Sequence, residues 1–345
     1  MENVRFARAH SRLFAWLAPL GFVLLLLPVG LGAGDAYAHS PDVDEDRTLE
    51  EQLRDGIRAL DEEDFDRAES LLAGVFEAEA AYISPRHGAV AYWLGTAYAR
   101  QEKTKQAHRT WIDGHHAVAD NDAFDVRLAD AYLRTLFETD LRSHRLEAAD
   151  VYLALLSHAD SALAPEEAEV VHRHVAQSAL LFEEEKRKRL SDDSPHDASW
   201  ALKDGAGAFL VAWWQRQDNA PATPENERLE EHLQRVAEAR AQYAYDERVS
   251  GLDDRGETYV RYGPPYQQRS INYNDARFFR EVFRFGVNVA SFDFPKNELW
   301  TYPHIHRAAY FVFVEKNGLF EIGQSSDLLP RQLSNVFSNS ERHLN

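Results

Sequence analysis

Leu94-Gly95-Thr96-Ala97-Tyr98 and Ala107-His108-Arg109-Thr110-Trp111 decide how the first half of this chain is read. From Arg47 to about Leu190 proline is rare and apolar residues recur at spacings of three and four, which marks amphipathic helices. Gly95 and Ala107 are twelve residues apart, and a large side chain, Trp111, follows Ala107 by four. An earlier copy repeats the arrangement: Gly56 and Ala68 are twelve apart, and Leu72 lies four past Ala68. The copies are offset by 39 residues. A third, from Val126 to Leu156, fits Tyr132 and Ala149 only with an enlarged loop.

Leu94, Gly95, Tyr98, Ala107 and Trp111, with Gly56 and Ala68 in the first copy, are similar to the signature of the tetratricopeptide repeat. That repeat is a pair of antiparallel helices in which small residues permit close approach and large ones fill the gap. Ala91 stands where the family carries an early Trp, and Ala119 where it closes on Pro. An ordinary helical bundle has the same periodicity and is the alternative. The resemblance implies a concave surface for a protein or peptide partner, without catalysis.

Upstream, Arg5, Arg8 and Arg12 precede an apolar run from Leu13 to about Gly34, and Ala36-Tyr37-Ala38 supplies a small-residue cleavage pattern. Residues 1–38 therefore read as a signal peptide cut after Ala38, followed by an acidic spacer over 39–46. This addresses the protein to the periplasm or to secretion. The alternative is an uncleaved anchor, which Pro19 and Pro28 interrupt. No second run of that length exists, so no stable membrane insertion is expected after cleavage.

The composition narrows the function classes. The chain has 345 residues, 44% of them hydrophobic, which suits about two domains and excludes wholesale disorder. With 57 acidic against 38 basic residues the net charge is −19. That argues against nucleic acid and against anionic lipid surfaces, both of which need basic patches. The absence of cysteine removes disulfides, thiolate chemistry and Cys-based metal sites.

Past a polar linker at 191–198 the composition shifts toward proline and aromatics. The sequence thus divides into helices over 47–190, a second domain over 199–330 and a tail over 331–345, and the two halves are expected to fold separately. The second half reads first as a helix from Phe209 through Trp213, Trp214 and Arg216 to Asp218. Thr223-Pro224-Glu225-Asn226-Glu227 then opens a long helix to about Asp246, with Thr223 as cap and Pro224 in the first helical position. Asp253-Asp254-Arg255-Gly256 reads as a tight turn with Gly256 at positive φ, and Thr258–Tyr262 as a strand stopped by Gly263-Pro264-Pro265. Further strands are expected over Glu298–Tyr302, Ala308–Glu315 and Leu319–Gly323, the last two joined by Asn317-Gly318. The Phe-rich stretch between Gln267 and Asn297 is expected to cover one face of this sheet. The fold class is α+β: a helical repeat domain followed by a four-stranded antiparallel meander on helices.

Six pieces in order resemble the GWxTD domain of exported bacterial proteins: Trp-Trp-x-Arg-x-Asp, Thr-Pro-Glu-Asn-Glu, Asp-Arg-Gly, Tyr262-Gly-Pro-Pro, Leu299-Trp300-Thr-Tyr and Tyr310-Phe-Val-Phe. Ser250-Gly251-Leu252-Asp253-Asp254 stands where the family has Gly-Trp-x-Thr-Asp, so only Asp254 is in register. The resemblance implies a fold and export; it brings no biochemical activity.

Candidate chemistry is sparse. Fifteen histidines include His115-His116, His172-x-His174 and His304-x-His306, none with a complete metal-ligand set nearby, and no cofactor motif occurs. Arg216 or Arg255 is expected to pair with Glu225, Glu227 or Asp254, tying the turn to the long helix. The reading is an exported, non-enzymatic interaction scaffold of the bacterial envelope. The alternative is an enzyme on cell-wall or polysaccharide material, or a glycan- or peptide-binding module. An enzyme should bring two carboxylates and the Trp213/Trp214 pair together in a pocket; a scaffold should hold them in ion pairs and core.

Overall fold

Several of the helices begin where a short polar side chain accepts from free backbone N–H groups. In the computed structural model, which describes residues 48–139, 145–194, 196, 200–218, 226–270 and 294–328, α1 (Leu49–Asp61) opens on a capping box. Thr48 accepts from the Glu51 N–H and the Glu51 carboxylate accepts from the Thr48 N–H. Asp64 caps α2 (Phe65–Ala78). A two-residue ribbon, β1 (Ile83–Ser84) and β2 (Gly88–Ala89), leads into α3 (Val90–Arg100) and α4 (Thr104–Asp120). Then follow α5 (Val126–Glu138), capped by Asp125, α6 (Arg145–Ser157), α7 (Pro165–Ala179) and the short α8 (Glu184–Arg187). The signal peptide and spacer expected over 1–46 lie outside the described residues, as do Thr223, Pro224 and Glu225, the Phe-rich 271–293 and the tail over 331–345.

The small residues singled out above do stand against the large ones. A Cβ on Gly56 would lie 2.8 Å from the Leu72 side chain, and one on Gly95 only 2.1 Å from Trp111 Nε1. Leu94, Ala68 and Ala107 are buried beside these contacts, and Tyr98 is half-buried between them. Ala91 is small for a related reason: a Cβ on Gly114 of α4 would meet the Ala91 Cβ at 2.1 Å.

The second half adds α9 (Ala206–Gln215), α10 (Glu227–Tyr243), α11 (Asp254–Tyr262) and an antiparallel sheet. Its strands β3 (Gln267–Arg269), β4 (Asn297–Thr301), β5 (Tyr310–Lys316) and β6 (Leu319–Ile322) run in the order β3-β4-β5-β6. The fold is α+β, helix-rich with a small sheet near the C-terminal end. Asn317 (φ 56°) and Gly318 (φ 86°) make the β5–β6 turn, with Lys316 opposite Leu319. One sheet face packs Trp300, Tyr302 and Phe313 on Tyr243, Tyr259 and Val260; the other sets Val312 and Val314 against Leu328. Among the described residues no helix is long and apolar enough to cross a membrane.

Three expectations are corrected. Residues 258–262 are helical, not a strand: the Asp253 carboxylate accepts from the Arg255 and Gly256 N–H groups and starts α11. Burial of Gly256, Tyr259 and Val260, spaced by three and one, then outweighs the β preference of Thr-Tyr-Val. The meander's first strand is accordingly β3. Gly256 has no positive φ; it is glycine because a Cβ would lie 3.0 Å from the Leu252 Cβ and 3.1 Å from that of Tyr243. The positive φ sits at Gly263, the residue that ends α11 (φ 80°). Finally, the halves share one core: Tyr132, Tyr152, Val175 and Phe182 lie in the same buried cluster as Trp200, Leu210, Trp214, Leu229 and Leu233.

Candidate functional site

The motif residues of the second half fall into two groups. In the first, Trp214 is fully buried and Trp213 packs edge-on against it at 4.6 Å and against Phe182 at 4.6 Å. Trp214 Nε1 donates to Ser178 Oγ of α7 (3.2 Å), and its carbonyl accepts from Asn226 Nδ2 (3.0 Å). Asn226 Oδ1 in turn accepts from the Leu229 N–H (3.0 Å). Asn226, not Thr223, is therefore the cap of α10, with Glu227 in its first turn where the helix dipole favours an acid. Arg216 ends α9 exposed to solvent, and Asp218 follows it.

The second group surrounds the start of α11. Arg255 bonds Asp253 Oδ2 (2.7 Å) and Glu298 Oε1 on β4 (2.7 Å), and its guanidinium lies over the Phe320 ring. The expected Arg255–Asp254 pair does not form, because neighbouring positions at a helix start point apart and Asp253 is the residue that turns back. Asp254 pairs with Arg248 (2.5 Å) and accepts from the Ile322 N–H. Trp300 is fully buried with Nε1 on Glu298 Oε2 (2.8 Å). Tyr262 stacks on Phe311, and the Gly263 carbonyl accepts from Tyr302 Oη (3.1 Å). Pro264 and Pro265 follow the helix end. His196, Asp254 and Glu257 each bring one donor atom within 4.8 Å of the others. Arg248 already lies 2.5 Å from Asp254 and 3.6 Å from Glu257, so a cation's place is filled by a guanidinium. The Glu257 hydrogen bond, outweighing burial, raises the His196 pKa.

A third grouping has no counterpart in the sequence motifs. Between α5, α7 and α10 lies a cavity of about 320 Å³, walled by Leu133, Phe137, Leu233 and Val236. Arg134, Arg173, His174 and Arg240 line it too. Behind them Asp130 is buried, with His174 Nε2 at 2.9 Å on one oxygen and Arg134 Nε at 3.2 Å on the other. Burial would raise the Asp130 pKa, but Arg134, the His174 hydrogen bond and Arg240 together hold it well below the carboxylate range. Burial lowers the His174 pKa, against the pull of Asp130. Arg240 stands 3.9 Å from Asp130, beyond hydrogen-bond reach. Arg173 is bound to Glu169 at 2.7 Å.

Beside this cavity His232 is buried between Trp214 (5.0 Å) and Tyr152 (6.2 Å), and neither ring nitrogen has a hydrogen-bond partner. Burial, with help from His174, lowers its pKa to about 3. The one available clue to this site was Asp130 itself, a charge inside the apolar run Leu128-Ala129-Asp130-Ala131-Tyr132-Leu133. Arg134 is a local partner at i+4, but His174 and Arg240 lie 44 and 110 residues away, out of reach of any local pattern. The chain matches no family profile, no curated protein and no solved structure.

Proposed function

We propose that the chain is an exported, non-enzymatic interaction scaffold of the bacterial envelope, holding a protein or peptide partner on its helical part. What carries this reading is the state of the acids around the start of α11. Asp253 caps α11 and binds Arg255, Asp254 is held by Arg248 and a strand N–H, Glu257 takes His196 and Ser250, and Glu298 takes Arg255 and Trp300. Carboxylates so engaged hold elements together, and the Trp213/Trp214 pair is spent on core packing. The likenesses to the tetratricopeptide repeat and the GWxTD domain support partner binding and export respectively. The cleavage pattern at Ala36-Tyr37-Ala38 supports the same address.

The test is expression of the full chain in a bacterium with in-cell crosslinking. The reading expects a product beginning at His39 in the envelope fraction, crosslinked to a defined partner through the helical part. Hydrolysis of peptidoglycan or polysaccharide by the purified protein, abolished by Asp254→Asn in a folded variant, would overturn it in favour of an enzyme.

A further inference from the structure

The hydrogen bonds around Asp130 do not close. One carboxylate faces three cationic or hydrogen-bonding groups and has two oxygens. His174 takes one and Arg134 is closest to the other, at a geometry that leaves Arg134 Nε without a hydrogen bond. Arg240, on α10, is left with a 3.9 Å approach and a side chain about three-quarters buried. Burial and the nearby Arg134 and Arg173 all work against its charge, with Asp130 and, more weakly, Glu138 compensating. A planar guanidinium with its donors unspent, at the cationic end of an apolar cavity, is suited to a carboxylate, which it meets bidentately. Glu138 and Asp246, also in the lining, repel an anion that lacks an apolar body to carry it inward. At about 320 Å³ the cavity is at the small end for ligand sites, sized for an end group and not for a length of chain.

We propose that this cavity binds a carboxylate joined to a short apolar group, the carboxylate on Arg240 and the apolar group against Leu133, Phe137, Leu233 and Val236. The source is either the C-terminal residue of a partner or a free organic acid. In the first case the proposal deepens the scaffold reading and rests on it.

The test is calorimetric titration of the full-length protein with N-acetyl-leucine, N-acetyl-leucinamide, 4-methylpentanoate and a leucine-ending pentapeptide as acid and as amide. The expected result is binding of N-acetyl-leucine with a Kd on the order of millimolar, and amides at least about tenfold weaker. Arg240→Gln should erase the preference for the acid. Should that variant not fold, Ala241→Trp, at an exposed position in the lining, should block the cavity and abolish binding. A pentapeptide acid that binds about tenfold more tightly than 4-methylpentanoate assigns the site to chain ends; equal binding assigns it to free acids. Acid and amide binding alike, no binding of either, or a folded Arg240→Gln that keeps the preference would overturn the proposal. Any of these with a crosslinked partner still captured removes the cavity and leaves the scaffold. Acid binding without a captured partner does the reverse.

Discussion

Lowering the pH from 7 to 5 should destabilise this protein in part through one side chain, His232, and the share is calculable. The imidazole is fully enclosed and holds a pKa of about 3 in the fold, chiefly through burial. An unfolded histidine titrates near 6.5. As pH falls below 6.5 the unfolded chain binds a proton at this residue and the native protein does not. Stability therefore declines with falling pH until the folded pKa is reached. Linkage between pH 7 and pH 5 gives a loss of about 2 kcal/mol from this residue. His115, stacked on Tyr132 and lowered to about 4 by burial, acts in the same direction. His196 opposes them: its raised pKa gives stability that is present below 6.5 and lost above the folded value, discounted because the group is half exposed.

The variant His232→Phe isolates the effect, since every other titrating group is common to both proteins. It removes two ring nitrogens that have no partner, a gain of about 1–3 kcal/mol, and adds volume at a comparable cost. The neutral-pH stability is therefore a poor readout and the pH slope a good one. Urea unfolding at pH 7 and pH 5 should show the variant losing about 2 kcal/mol less than the parent. Equal losses, within about 0.5 kcal/mol, would mean that His232 is not a buried neutral imidazole, and the reasoning would fail.

Arg255→Met should cost about 2–4 kcal/mol in a thermal or urea melt, because it strands Asp253 and Glu298 where both are largely enclosed. In double-mutant cycles Arg255 and Asp254 should be additive, whereas Arg248 and Asp254 should couple by about 1 kcal/mol or more. Gly95→Ala should destabilise by about 1–3 kcal/mol, since the new methyl meets the Trp111 ring, and Trp111→Leu should restore part of that; a neutral Gly95→Ala would refute the close approach. A chain beginning at Trp200 should lack cooperative unfolding by circular dichroism, because Leu210, Trp214, Leu229 and Leu233 lose the α5–α7 side of their core. On the proposed export, mass spectrometry of the protein expressed in a bacterium should find His39 as the first residue, and retention of residues 1–38 would favour the anchor.

Much of the secondary structure was legible because its causes are local. Asn317-Gly318 specifies a hairpin turn by tolerating positive φ at both positions, and β5 and β6 follow. Gly56 against Leu72 and Gly95 against Trp111 were readable from spacing, because within paired helices small and large positions meet at fixed intervals. Asn226 as a cap was missed for Thr223-Pro224, an equally good local signal, because the decision came from the Trp214 carbonyl twelve residues upstream.

Sequence alone determined where helices and hairpins can form and that the chain is acidic and free of cysteine. Tertiary structure decided the rest. Thr258-Tyr259-Val260 became helix because Gly256 packs so closely that a Cβ there would lie 3.1 Å from the Tyr243 Cβ, and the Asp253 carboxylate took the first N–H groups. The core crosses the 191–198 linker because α9 and α10 find their apolar partners on α5, α6 and α7. The cavity at Arg240 exists only where three helices far apart in sequence converge on one buried carboxylate. Local pattern encodes periodicity and capping, whose range is a few residues. Burial and charge balance depend on which surfaces meet, and that is settled only when the whole chain packs.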